Sequence, residues 1–467
     1  MILPFFFKFC KSTILKLLLY CLFLLYKFSD MPKKTMNKFR KKVAVLGGGV
    51  SGLAAALTLA EGGFKVIVAE SSPYIGGAAG SVGIPDGRIA SIGYHHIVGS
   101  DKRLLEVLNK LDLISRVNWK KIHVSTLVDK KNIDLASPKD VMLFKRLPFI
   151  SRFKYMFLGA RCMLTKDWSS WKDRTVTEFV KSWADEKVLQ AIFAPLVDIK
   201  FGLLSDQADA AWLGRRLSHA EGRTPFGFIP CASWNEEMCQ EFKRRIESLG
   251  GEIMLNTPLN AIALDKKGKV KSVKLGSKTI KVDAALNTIP PPALNPILIE
   301  AKAPSRWLRV LGGIKYMSCY SLLAGLPTVP FRDYWTVFLY PRAIFGGCFS
   351  ISNLNHTLIT KKDKAVINLF TNLEYGKRPW SLKKYEEMVI SDLQTVTGKK
   401  IRPNWVKTNI IKFVSPIFSV GYKNPPAKLG ENLYLAGIYR TYPKFSTTGE
   451  AMASGIETAN LLLKDFN

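Results

Sequence analysis

The stretch Lys42–Glu70, KVAVLGGGVSGLAAALTLAEGGFKVIVAE, carries in order a short apolar run, a glycine cluster, a helix-forming run, a glycine pair, a second apolar run and an acid. Val43–Leu46 predicts a strand, Leu53–Ala60 a helix and Phe64–Ala69 a second strand, with Gly62 and Gly63 breaking the helix between them. Gly47, Gly49 and Gly52 fill the GxGxxG positions, with Val50 and Ser51 between them where the helix begins. This is the pattern of a dinucleotide-binding βαβ unit. Gly47 permits a tight turn, Gly49 lets backbone approach a pyrophosphate, and Gly52 allows close helix packing. Phosphates would then meet the free N–H groups and positive dipole end of the helix. Glu70 follows Gly52 by eighteen residues, where a carboxylate can accept from both hydroxyls of an adenosine ribose; a free ribose is expected, not a 2′-phosphate.

Directly after Glu70 the chain reads SSPYIGGAAGS, with a second glycine pair at Gly76 and Gly77. Glu70 followed by this pair resembles the extended FAD fingerprint of the flavin amine oxidase superfamily, which includes protoporphyrinogen oxidases and carotenoid desaturases. Close relatives of monoamine oxidase carry arginines two residues before and one after the pair, where this chain has Tyr74 and Ala78. The GGAAGS form is more similar to the desaturase and protoporphyrinogen-oxidase-like branches than to amine oxidases proper.

Two further stretches extend the resemblance. Near the C-terminus, Asn432–Gly437 (NLYLAG) predicts a buried strand and Thr447–Asn460 (TTGEAMASGIETAN) a helix rich in small residues. The resemblance implies that these return to the first βαβ unit and set backbone N–H groups of Gly437, Gly449 and Glu450 beside a flavin, with Gly455 packing the helix. In the middle, strands at Glu252–Asn256, Ala261–Asp265, Val270–Leu275 and Thr279–Thr288 resemble the β-meander crossover and last sheet strand of glutathione-reductase-type FAD domains. There Leu259 or its neighbour would contact adenine through its backbone, and Thr288 would end the strand near the cofactor. The implied fold is α/β: a Rossmann-like FAD domain of glutathione-reductase type built from residues 41–115, 226–298 and 426–467. An α+β substrate domain from 116–225 and 299–425 is interleaved with it.

Composition agrees with a multi-segment enzyme. The chain has 467 residues, 47% of them hydrophobic, enough for a large core. Its seven cysteines form no CxxC pair and have no zinc-type spacing with the five histidines, so no disulfide framework and no metal site are indicated. A reducing compartment fits. No cysteine follows Cys348, so the C-terminal thioether of some monoamine oxidases has no counterpart and FAD is expected to be non-covalent.

Net charge is +31, and ten Lys/Arg against Asp30 alone fall in residues 1–42. No nucleic-acid module accompanies this charge, so nucleic acid is not an expected partner; contact with anionic lipid is the expected use, and a lysine-rich composition without functional meaning is the alternative. Residues 1–40 form a basic hydrophobic segment. Leu17–Tyr26 is ten apolar residues, short of the roughly 20 that a spanning helix needs. Lys8, Lys11, Ser12, Lys16 and Lys27 share one arc of a helix, which suits an interfacial anchor on the cytoplasmic face. Translation starting at Met31 or Met36 is the alternative. The expected location is cytoplasmic.

The catalytic candidates are His95 and His96 in Gly93-Tyr94-His95-His96. They resemble the glycine- and histidine-bearing motif that desaturase-like proteins place at the flavin edge, and a histidine there acts as a base or holds a flavin carbonyl; a structural pair closing a turn is the alternative. Tyr334-Trp335 and Phe345–Asn353 read as strands lining the substrate domain, and Lys315 lies in the region of the amine oxidase lysine. The expected activity is hydride removal from a largely apolar small molecule, with oxygen, a quinone or another acceptor taking the electrons. A UDP-galactopyranose-mutase-like flavoenzyme, with Arg215, Arg216 and Arg223 as candidates for a pyrophosphate clamp, is one alternative. A membrane-associated flavin-binding protein without turnover is another.

Overall fold

A computed structural model describes residues 41–202, 204–218, 224–230, 233–444 and 446–466. The expectations for the N-terminal segment and for Arg223 lie outside the described residues.

Lys42–Leu46 and Lys65–Ala69 form adjacent parallel strands, and the helix Val50–Glu61 connects them. The strands are buried almost end to end because helices cover the sheet, which is why both read as continuous apolar runs. The parallel sheet has five strands in the order Glu252–Met254, Lys65–Ala69, Lys42–Leu46, Ala284–Asn287 and Leu433–Leu435. Its strands thus come from three stretches far apart in the chain. Leu259–Leu264, Val270–Leu275 and Lys278–Lys281 make a separate antiparallel meander.

The expected single strand Thr279–Thr288 is two strands in different sheets. Lys278–Lys281 ends the meander and Ala284–Asn287 enters the parallel sheet, because Val282 and Asp283 turn the chain between them. Asp283 Oδ2 accepts from the Lys42 amide at 2.7 Å, pinning that corner to the first strand. Period-two apolar positions run straight through the corner, so periodicity alone does not reveal it.

The second layer is a seven-stranded, largely antiparallel sheet. Its order is Trp405–Pro416, Tyr316–Leu326, Ala365–Glu374, Gly347–Phe349, Trp335–Tyr340, Val124–Val128 and Lys131–Ile133. Helices between Pro138 and Ser218 pack beside it. Trp335 and Gly347 begin strands as anticipated, but Ile351–Leu354 is a short helix. Within the described residues, no helix is long and apolar enough to cross a membrane.

Candidate functional site

The glycine loop after the first strand opens one end of a large cavity. Gly47 adopts φ +105°, and a Cβ there would lie 2.6 Å from Thr288 Oγ1. Thr288 shares its hydroxyl between the carbonyls of Leu46 and Gly47, each at 3.0 Å, and so ties the loop to the neighbouring strand end. Gly52 is equally constrained, since a Cβ would stand 2.0 Å from the Gly47 carbonyl oxygen.

Gly49 differs from both. Its φ of −69° suits any residue, and a Cβ would meet nothing nearer than Gly77 Cα at 3.9 Å. The fold therefore does not require glycine there, and open space remains before the helix N-terminus. Val50 and Ser51 line that space, no acid stands in the first helical turn, and Ser51 Oγ is buried with no partner among the described residues. Unpaired N–H groups at the helix start, beside an open cradle, fit a dinucleotide pyrophosphate.

Gly76 and Gly77 close the other side of the cradle at φ +103° and +58°, and the Gly76 amide donates to the Gly48 carbonyl at 2.8 Å. Glu70 is buried beneath them. Its Oε2 accepts from the Gly48 amide at 2.7 Å and its Oε1 from the Ser72 amide at 2.8 Å. The carboxylate is thus held at the cavity wall by loop amides, with capacity left for further donors. Pro258 and Leu259 line the same end.

The closing helix Thr448–Phe466 packs across the first helix at Gly455, where a Cβ would lie 2.1 Å from the Ser51 carbonyl oxygen. Gly437, at φ +137°, lines the cavity while its amide donates to Ser454 Oγ at 3.0 Å. Glu450 also lines it and accepts from Lys444 Nζ at 2.9 Å. Gly449 lies off the lining: its amide donates to the Asp101 carboxylate, and a Cβ would stand 2.3 Å from Asp101 Oδ1. Asp101 caps the helix Lys102–Lys110 through the Leu104 amide, and burial raises its carboxyl above the usual range. Asp101 could be read from the sequence only as a helix cap; its contact with the C-terminal helix is tertiary.

From this cradle the cavity, about 2450 Å³, runs into a chamber beside the seven-stranded sheet. Tyr94 stacks on Phe349 at 4.9 Å and lies 4.4 Å from Phe370. His96 is set among Phe226, Tyr334, Trp335 and Phe349, and its Nδ1 is 2.8 Å from Tyr334 Oη. His95 Nδ1 is 3.5 Å from Ser91 Oγ. Both histidines line the cavity. Burial lowers His95 to about 4 and His96 to about 3; Lys200 acts in the same sense on His95, and His95 and Arg216 do so on His96. The imidazoles are therefore neutral near pH 7, able to hold or relay a hydrogen bond and weak as bases.

Lys200, Arg215 and Arg216 line the chamber, with Lys200 5.9 Å above the Tyr94 ring and Arg216 5.6 Å from Trp335. Asn372 and Trp335 also line it, and Asn372 Oδ1 and Trp335 Nε1 are buried without a partner among the described residues. Lys200, Phe370 and Asn372 escaped the sequence reading because they sit in ordinary helix and strand patterns. Lys315 is exposed and off the cavity lining, so it does not serve as an amine oxidase lysine.

A cradle for a dinucleotide feeding an aromatic chamber defines a flavoprotein oxidoreductase. The chain belongs to the flavin containing amine oxidoreductase family, whose model matches residues 50–193 and 201–463, and it is an FAD-dependent oxidoreductase. It is 24% identical to the 15-cis-phytoene desaturase of Solanum lycopersicum over 483 aligned positions, covering 94% of this chain and 80% of that one. Its fold is similar to that of an Exiguobacterium protein described as a protoporphyrinogen oxidase, with TM-score 0.70, 17% identity and coverage of 92% of this chain and 100% of that one. A reduced UDP-galactopyranose mutase shares the fold at TM-score 0.70 and 15% identity, covering 91% of this chain and 94% of the other.

Proposed function

We propose that this protein dehydrogenates a largely apolar small molecule, in the manner of carotenoid desaturases or protoporphyrinogen oxidases, using non-covalently held FAD and passing the electrons to oxygen, a quinone or another acceptor. The observation that carries this reading is the continuity of the cavity from the glycine cradle to an aromatic chamber. Bound FAD supplies the hydride-accepting chemistry. The chain's own part is to hold the adenosine end at Glu70, receive the phosphates at Val50 and Ser51, and lay a flat apolar substrate against Tyr94, Phe370 and Ile411 with water excluded. His96, fixed by Tyr334, shapes the chamber wall, and His95 offers a neutral imidazole beside it. Non-covalent attachment is supported by Cys319: it lines the cavity, but burial pushes its thiol up to about 12, which makes it a poor nucleophile.

A second reading has one observation in its favour. Lys200, Arg215 and Arg216 place positive charge in the chamber, as a sugar nucleotide would need. Anaerobic mixing with phytoene, other polyenes, porphyrinogens and amines, followed through the flavin's visible absorbance, separates the readings. Bleaching by a polyene or porphyrinogen, slowed by about 10²-fold in His95→Ala if that imidazole relays a proton, supports dehydrogenation. Bleaching by amines alone would overturn it, as would turnover of UDP-galactopyranose by chemically reduced protein with no bleaching by any donor.

A further inference from the structure

The helix Phe149–Leu164 carries an apolar face that the fold leaves uncovered. Ile150, Phe157 and Leu164 are 68%, 58% and 81% exposed, and Phe149 and Phe153 are exposed with them. At about 100° per residue these five side chains fall within an arc of roughly 100°. The opposite side, Ser151, Leu158 and Cys162, packs inward. Burial of one stripe therefore accounts for the helix, while the outward stripe is apolar without a partner among the described residues.

Two features indicate what covers it. Residues 141–166 contain six Lys/Arg and no Asp/Glu; Arg146 and Lys154 pair with Asp129 and Asp185, while Lys145 and Lys166 are exposed beyond the two ends of the helix. The same helix also walls the cavity: Met156, Gly159 and Met163 line it along the edge of the outward face. An apolar arc with a basic rim fits the boundary between anionic headgroups and acyl chains, where an interfacial helix buries its apolar face and keeps its cations at the phosphates.

We infer that the outward face of Phe149–Leu164 docks this protein onto an anionic lipid surface and sets the cavity edge formed by Met156, Gly159 and Met163 against the lipid. This docking is independent of the flavin reading, because lipid binding is measured without turnover.

The test is flotation of the full-length protein with vesicles of phosphatidylcholine alone and of phosphatidylcholine with phosphatidylglycerol, at low and high salt. The wild type should float with the anionic vesicles. Phe153→Ser/Phe157→Ser should lower the partition coefficient at least about tenfold, since two large apolar groups leave the lipid, with bound flavin unchanged as the sign of a folded protein. Lys145→Glu/Lys166→Glu should weaken binding at low salt more than at high salt. Should the double Phe variant lose its flavin, Leu164→Glu at the most exposed of these positions replaces it. Undiminished flotation of the folded apolar variants would overturn the inference and assign binding elsewhere, including the N-terminal segment. Failure of the wild type to float would overturn it too. So would a wild-type dimer that the Phe variant dissociates without any vesicle binding, which would give the face to a second copy of this chain.

Discussion

Gly49→Ala separates what the fold needs from what the cofactor needs. The backbone at Gly49 has φ −69° and ψ 169°, open to alanine without strain, and the added Cβ would have 3.9 Å of clearance to Gly77 Cα. Removing the glycine's freedom in the unfolded chain should leave the flavin-free protein equally stable or more stable by about 0.4–1 kcal/mol. The same methyl occupies the open cradle before the helix N-terminus. If it displaces a phosphate from one charge-assisted hydrogen bond, worth about 1.5–3 kcal/mol, FAD affinity falls by about 10- to 150-fold. Urea unfolding of the flavin-free protein gives the first quantity, and fluorescence titration with FAD the second. A Kd within twofold of wild type would refute the assignment of this space to the pyrophosphate. Lower stability of the flavin-free variant would refute the claim that the fold leaves the position free.

The histidine pair makes stability depend on pH in a stated direction. His95 and His96 fall from an ordinary 6.5 to about 4 and about 3 on folding, so the unfolded chain binds more protons between those values. Their contribution is fully present above about pH 6.5 and is lost as pH falls through about 4 for His95 and about 3 for His96; thermal unfolding across this window should have a flatter acid limb in His95→Gln/His96→Phe, and an unchanged limb would exclude the pair. At the helix crossing, Gly455→Val would drive a side chain into the Ser51 carbonyl, only 2.1 Å from its first carbon. Overpacking of this kind costs about 1–3 kcal/mol, and because it moves the first turn of the cradle helix, flavin content should fall with the melting temperature; a variant as stable and as yellow as wild type would show that the two helices separate freely.

The local half of this protein was legible in its residues. A strand, a glycine turn and a helix need only neighbours in sequence, so Gly47, Gly49, Gly52 and Glu70 announced the cradle through spacing alone. The Gly76–Gly77 pair and the C-terminal helix were readable for the same reason: small residues at fixed spacing mark close backbone approach. Spacing could not distinguish the glycines by role. Gly47 and Gly52 are required by the fold, Gly49 leaves space, and Gly449 serves the Asp101 contact; each role depends on what stands opposite. The corner at Val282–Asp283 was hidden for a related reason, since the apolar positions Ile280, Val282, Ala284 and Leu286 keep period two in the sequence while the chain changes sheets. The chamber was legible only in pieces: Gly93–His96 and Tyr334-Trp335 were readable as candidates, but not their meeting with Lys200, Phe370 and Asn372. Tyr94, Lys200, Tyr334 and Phe370 come from separate loops, a helix and a strand, and their convergence is set by how those loops and that helix pack on the seven-stranded sheet. The uncovered face of Phe149–Leu164 likewise became visible only once packing had claimed Ser151, Leu158 and Cys162, because apolar pattern marks which residues avoid water and the tertiary fold decides which of them find protein instead.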